Sequence, residues 1–215
     1  MYNKELYGKI INVSCSFEEL ESFVSDISKK EFDIDNAFEK YYDLERILFA
    51  ISRYENKEIN DKYLAYWMCA YNWIIMAGFR AGNENVGITF QEWVLWEISD
   101  WLDSLSFFDD SDDWFNLDDY KNSFRIIDEI YKNLNDWECI FAHTDEWGDN
   151  DDDVVLLTIN NKAKKFVKIY ASLNYLNEKV DFPRIEEDEL GKKIKQLKKV
   201  GYQELRYGLF DEKEE

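Results

Sequence analysis

The chain has 215 residues, 46% hydrophobic and 17% aromatic, enough apolar material for a sizeable core and against disorder despite a formal net charge of −20. A pI near 4.4 repels nucleic acid and anionic membrane surfaces and favours basic proteins, basic peptides or cations as partners. Three scattered cysteines, Cys15, Cys69 and Cys139, form no C-x-x-C pair, which argues against a disulfide framework or structural zinc and fits a reducing cytoplasm.

Residues 1–21 contain no apolar stretch followed by a small-residue cleavage site, so no secretory signal is expected. Leu6 to Val13 reads as a short strand. Ser16 and Glu19 then form an S-x-x-E capping box ahead of Leu20, Phe23, Val24 and Ile27, opening a helix. A second helix is expected from about Asp35 to Tyr54, because Ala37, Tyr41, Leu44, Leu48 and Ile51 recur on one helical face. A third begins near Asn60 and Asp61 and stops around Gly82. Its apolar run, Tyr63 to Phe79, includes Asn72 and three tyrosines and falls short of a bilayer span, so it predicts a central core helix and no membrane helix.

Thr89 and Glu92 give another capping box, followed by Phe90, Val94, Glu97, Ile98, Trp101, Leu102 and Leu105 at mostly helical spacing. A fifth helix fits Leu117 to Leu134, and the segment from Ser106 to Asn116 between these helices reads as a loop. The period then changes. Glu138 to His143, Val154 to Ile159 and Phe166 to Leu173 are β-rich, the last placing Phe, Lys, Tyr and Ser outward against Val, Ile, Ala and Leu inward. Asn160 to Lys165 supplies the turn between the last two. Pro183 precedes a helix from about Glu186 to Val200, with lysines near its end and Gly201 as its stop. The expected fold is α+β and mostly helical, a bundle-like core with a small antiparallel sheet or hairpin in the C-terminal third. Residues 1–215 form a single domain in this reading, helix-rich over 14–135 and β-containing over 136–215.

The chemistry-bearing residues are sparse. His143 is the only histidine, which removes HExxH zinc sites and multi-histidine metal centres, and it reads as a structural residue. Cys139 four residues earlier has no recognisable oxyanion loop to complete a Cys–His site. Ala81 to Gly87 lacks both phosphate-loop spacings. Asp149 to Asp153 resembles the start of an EF-hand loop, but Val154 stands at the turn glycine and Asn160 at the bidentate glutamate. Asn72, Arg80 and Tyr71 are polar groups around which an enzyme pocket would have to form, with an internal hydrogen bond to Asn72 as the simpler reading. No catalytic residues, metal or cofactor are predicted.

One feature stands above this background. From Glu97 to Asp153 there are nineteen acidic residues and three basic ones, leaving a net charge of only −4 for the rest of the chain. Large aromatics sit among the acids. Phe107 precedes the first group, Phe108, Asp109, Asp110, Asp112, Asp113 and Trp114, and the second comprises Asp145, Glu146, Trp147, Asp149, Asp151 and Asp152. Protein interfaces place aromatic hot spots within charged rims, so these twelve residues are the predicted partner-binding set.

In size, in the FFDDSDDWF and DEWGDNDDD segments and in lacking a catalytic set, the chain resembles, as a class, the cytoplasmic immunity proteins of bacterial polymorphic-toxin systems. That resemblance implies inhibition of a toxin by covering a basic surface that would otherwise hold phosphate. It has no alignable motif and carries no residue roles. The alternative is a phage-type DNA mimic that blocks a restriction or CRISPR nuclease. Duplex DNA carries one charge per about 1.7 Å, so sixteen net charges match only about 27 Å of duplex, which favours a compact protein-binding patch. An enzyme of unrecognised type stands third.

Overall fold

Several helices of this protein are entered through side-chain caps. In the computed structural model, which describes residues 4–27, 36–77, 89–107, 116–143, 153–172 and 182–208, the Ser16 hydroxyl accepts from Glu19 N at 3.2 Å while Glu19 Oε2 accepts from Ser16 N at 2.9 Å. This reciprocal pair opens helix α2, Phe17–Ser25, as the S-x-x-E spacing predicts. Thr89 and Glu92 repeat it before α6, Phe90–Ser106. The chain groups into two compact units assembled from interleaved segments: Met1–Glu84 with Ile98–Leu117, and Asn85–Glu97 with Asp118–Glu215.

In the first unit the expected strand at Leu6 to Val13 is instead helix α1, Lys4–Ile11. Tyr7, Ile10 and Ile11 are buried at i, i+3, i+4 spacing, a helical stripe that the β-branched residues around Gly8 disguise. The expected continuous second helix is broken into α3, Ala37–Tyr41, and α4, Leu44–Glu55. Asp43 makes the break. Its carboxylate accepts from Glu45 N at 3.1 Å as the N-cap of α4, and its own N–H donates to Tyr71 Oη at 2.9 Å. Tyr71 in turn donates to Tyr41 O at 2.9 Å, so one buried phenol joins both sides of the break.

Helix α5, Asp61–Ile75, is the central helix of this unit, capped by Asn60 Oδ1 on Tyr63 N at 2.8 Å. It ends at Ile75, short of the expected stop near Gly82, which itself lies outside the described residues. Ten of its fifteen residues are buried, and it packs against α1, α2, α3 and α4. Among the described residues no helix is long and apolar enough to cross a membrane. The second half of α6 joins this core through Ser99, which donates to Asn72 Oδ1 at 2.9 Å while Asn72 Nδ2 donates to Ser99 O at 3.2 Å. Both polar residues are buried and each satisfies the other.

The second unit is built on a five-stranded mixed sheet, in place of the expected antiparallel hairpin or small antiparallel sheet. Strands β1, Trp137–His143, β2, Asp153–Asn160, and β3, Lys165–Ser172, form an antiparallel meander. Two short strands, β4, Arg184–Ile185, and β5, Gln203–Leu205, add in parallel at its two edges, giving the order β4-β1-β2-β3-β5. Two- and three-residue strands carry too little periodicity to be read from sequence. The turn at 161–164 is as expected, with Asn160 Oδ1 accepting from Ala163 N at 2.8 Å.

Helix α7, Leu117–Lys132, buries Tyr120, Phe124, Ile127 and Ile130 and ends before the expected Leu134, where a 3₁₀ turn, Leu134–Asp136, leads into β1. It is tied to the C-terminal segment by Asn122 Nδ2 donating to Arg206 O at 2.6 Å and by Gly208 N donating to Ser123 Oγ at 3.1 Å. Helix α8, Glu187–Lys199, packs Leu190 and Leu197 against Ile140, Ala142, Val155, Leu157, Ile159 and Phe166. Phe166 was expected to point outward with Lys168 and Tyr170. It is buried, because α8 covers that face of β3 at its start and leaves Tyr170, at 47% exposure, uncovered farther on. Gly201, with φ +87°, ends α8 in the left-handed region that favours glycine.

Candidate functional site

All twelve residues of the predicted partner-binding set, Phe108 to Trp114 and Asp145 to Asp152, lie outside the described residues, as do Arg80, the 81–87 segment and most of the 149–153 run. The structure describes what they attach to. The first segment leaves from Phe107 at the end of α6 and rejoins at Asn116 before α7, and the second leaves from His143 and rejoins at Asp153 at the ends of β1 and β2.

The described acids of the 97–153 stretch fall into two groups. Asp118 pairs with Lys121 at 2.6 Å, Asp128 with Lys132 at 2.8 Å, Glu129 with Lys165 at 3.0 Å and Asp136 with Lys162 at 3.0 Å. Glu97 accepts from Tyr207 Oη at 2.9 Å. These carboxylates therefore help hold the protein's own elements. Asp100, Asp103, Asp119 and Glu138 have no ion-pair partner among the described residues.

Two of those four, Asp100 and Asp103, stand at i, i+3 spacing on one face of α6, and Phe107 follows its last residue. All three are exposed, Phe107 at 74%. This open phenylalanine and the two carboxylates immediately precede, in sequence, the acidic-aromatic segment that begins at Phe108. Counting acids over 97–153 does not single out Asp100 and Asp103; their spacing to Phe107 does.

Although the Asp100 side chain reaches solvent, desolvation by the protein packed around its base, and then the neighbouring Asp103 charge, raise its carboxyl from the ordinary 3.8 to about 6. The folded state thus holds this proton more tightly than the unfolded chain. The stabilising contribution is complete below about pH 4 and is lost as pH rises through about 6. Asp100→Asn is expected to raise the melting temperature at pH 7 and to flatten its pH dependence between about 4 and 6. Solvent access to Asp100 keeps the gain modest. Thermal melts of both proteins across that window check it, and parallel pH profiles would remove Asp100 as the source.

Elsewhere the polar groups serve the fold. Burial pushes the Cys139 thiol up to about 12, so it carries no thiolate near neutrality. A shallow cleft of about 440 Å³ in the first unit is lined by Val13, Ser14, Cys15, Arg53, Asn60 and Tyr63, among others. Its groups are turned toward one another: Arg53 Nη1 donates to Val13 O at 2.7 Å, Arg53 Nε to Glu58 at 3.1 Å, and Tyr63 Oη to Cys15 O at 2.9 Å. Val13, at φ +52°, occupies a left-handed conformation unusual for a β-branched residue, and Arg53 fastens its carbonyl. Burial raises both the Cys15 thiol and the Tyr63 phenol, so neither is primed as nucleophile or base. No group of three or more potential metal-ligating side chains occurs among the described residues.

Comparison of the chain with protein-family models, with curated proteins and with solved structures gives no match.

Proposed function

We propose that the protein is a cytoplasmic immunity or inhibitor protein that neutralises a cognate toxin by covering a basic surface with its acidic-aromatic patch. The observation that carries this reading is the division of the acids. On α7 and the turn into β1, Asp118, Asp128, Glu129 and Asp136 are matched by the protein's own lysines, whereas among the described residues Asp100 and Asp103 have no ion-pair partner and precede the open Phe107. The adjoining 108–115 segment adds four aspartates and no base, and 144–152 adds five acids and no base. Charge of one sign left uncompensated beside exposed aromatic surface suits a partner of opposite charge. Long-range attraction speeds the encounter, and desolvated aromatic contacts slow departure.

The DNA-mimic reading draws less support, because it needs acidic charge in an extended stripe and four of the described carboxylates of this stretch, Asp118, Asp128, Glu129 and Asp136, are paired with lysines. The functional test is growth rescue. The C-terminal domain of the protein encoded immediately upstream is expected to arrest growth when expressed alone, and co-expression of this chain is expected to restore it. Arrest that persists despite soluble co-expression overturns the proposal.

Association with that partner should slow steeply as salt rises while dissociation changes little, since exposed charges are screened over about 8 Å at physiological ionic strength and buried contacts are not. Stopped-flow mixing across a salt series measures both rates. An association rate indifferent to salt would remove the electrostatic part of the reading.

A further inference from the structure

The fold gathers a basic surface that the overall charge conceals. Residues 160–208 contain twelve basic and seven acidic side chains within a chain of net charge −20. Three contacts bring part of this basic excess, in the β2–β3 turn and the last turn of α8, to one end of the second unit. Tyr202 Oη donates to Asn161 Oδ1 at 2.8 Å, Gln203 N donates to Lys164 O at 2.9 Å, and Tyr202 N donates to Leu197 O at 3.0 Å. The β2–β3 turn and the last turn of α8 are thereby brought together at the start of β5.

The nearby acids are already engaged: Asp136 holds Lys162, and Glu204 holds Lys168 at 3.2 Å and Lys198 at 2.6 Å. Lys168 and Lys198 keep the Glu204 carboxyl below the usual range despite its partial burial. Lys164, Lys195 and Lys199 are exposed and have no ion-pair partner among the described residues. Lys195 and Lys199 lie one turn apart on α8, with Val200 open beside them at 53% exposure.

We infer that this basic end is a docking surface for the acid-rich face of a second copy of the chain. The inference rests on the reading of the acidic stretch as a docking surface, and charge complementarity selects the occupant. Among the described residues Lys164, Lys195 and Lys199 have no acid partner and Asp100 and Asp103 no basic one, so each set offers charge that the other complements. The net charge of each copy opposes this contact, which makes the association weak. A basic toxin would compete for the same acidic face and disperse the chains.

Sedimentation equilibrium of the full chain tests this. At an ionic strength of about 0.1 M, where the Debye length is about 10 Å, the weight-average mass is expected to rise with protein concentration above that of the monomer. At about 1 M, where it is about 3 Å, the mass should return to the monomer. Replacing Lys164, Lys195 and Lys199 together by glutamate should weaken association by about tenfold or more, and the triple glutamine variant, which makes no new repulsion, should weaken it less. A monomer at every concentration and salt, or unchanged association in both variants that melt like the wild type, overturns the inference. So does a loss of heparin retention in the variants with no change in mass, which would assign the surface to another polyanion. Decalysine, a probe of the acidic face, keeps the two readings apart. If it binds wild type and variants alike while neither associates, only the second-copy inference falls; if it binds neither, the acidic-face reading falls first.

Discussion

Trp67→Ala is expected to destabilise the protein by about 4 kcal/mol, the middle of the range for deleting a buried aromatic side chain. Trp67 is fully buried on α5, its ring stacked on Tyr71 with centroids 4.7 Å apart. Its indole N–H donates to Ile10 O at 2.7 Å, at the end of α1. The substitution therefore opens a cavity beside the phenol that fixes the α3–α4 break and releases the last turn of α1 in one step. Trp67→Phe separates these effects. It keeps most of the ring volume and loses only the N–H, and because Val13 N also donates to Ile10 O at 3.0 Å, that carbonyl keeps a partner. A loss of about 1 kcal/mol is expected there. Phe49→Ala, at a site 53% exposed, should stay within about 0.5 kcal/mol. Urea denaturation of the three variants gives the order. Equal midpoint shifts for Trp67→Ala and Phe49→Ala would show that α5 is not the centre of the first unit's core.

The sequence is most legible where a local interaction specifies the structure. Both capping boxes are closed within four residues by a hydroxyl and a carboxylate, and both helices begin where the motif places them. The α8 stop at Gly201 and the 161–164 turn are equally local. Elements decided by distant partners are less legible. The spacing of Ala37, Tyr41, Leu44, Leu48 and Ile51 describes one helix, and only Tyr71, some thirty residues away, shows why the chain bends at Asp43. The parallel strands β4 and β5 are defined by the edges of a sheet whose meander lies between them in sequence. Phe166 looks outward by alternation until α8, a later helix, covers it.

The candidate site divides in the same way. Its acidic excess and its aromatics are visible in composition, and the matched and unmatched carboxylates are not. Lys165 lies thirty-six residues from Glu129 and Lys162 twenty-six from Asp136, so the neutralisation of those acids is a property of the fold. What remains among the described residues after that neutralisation is Asp100, Asp103, Asp119 and Glu138, the first two close in sequence to the open Phe107.

If those segments form the interface, Trp114→Ala and Trp147→Ala should each weaken partner binding by about 2 kcal/mol or more, the size of an interfacial hot spot. Phe107→Ala belongs in the same set, because an open ring at 74% exposure gains most from burial under a partner and contributes little to the protein's own stability. Asp112→Asn and Asp151→Asn should each cost under about 1 kcal/mol, as exposed charges at a rim do. The order, aromatics above single carboxylates, follows from the opposing costs of pairing a charge. A carboxylate must shed water to meet a lysine, whereas an aromatic ring gains by shedding it. Affinity and melting temperature measured on the same five variants separate an interface from a core. Folded variants with weakened binding place the aromatics at the partner. A drop in melting temperature for Trp114→Ala or Trp147→Ala assigns that tryptophan to the protein's own core, and unchanged affinity in folded variants removes the site.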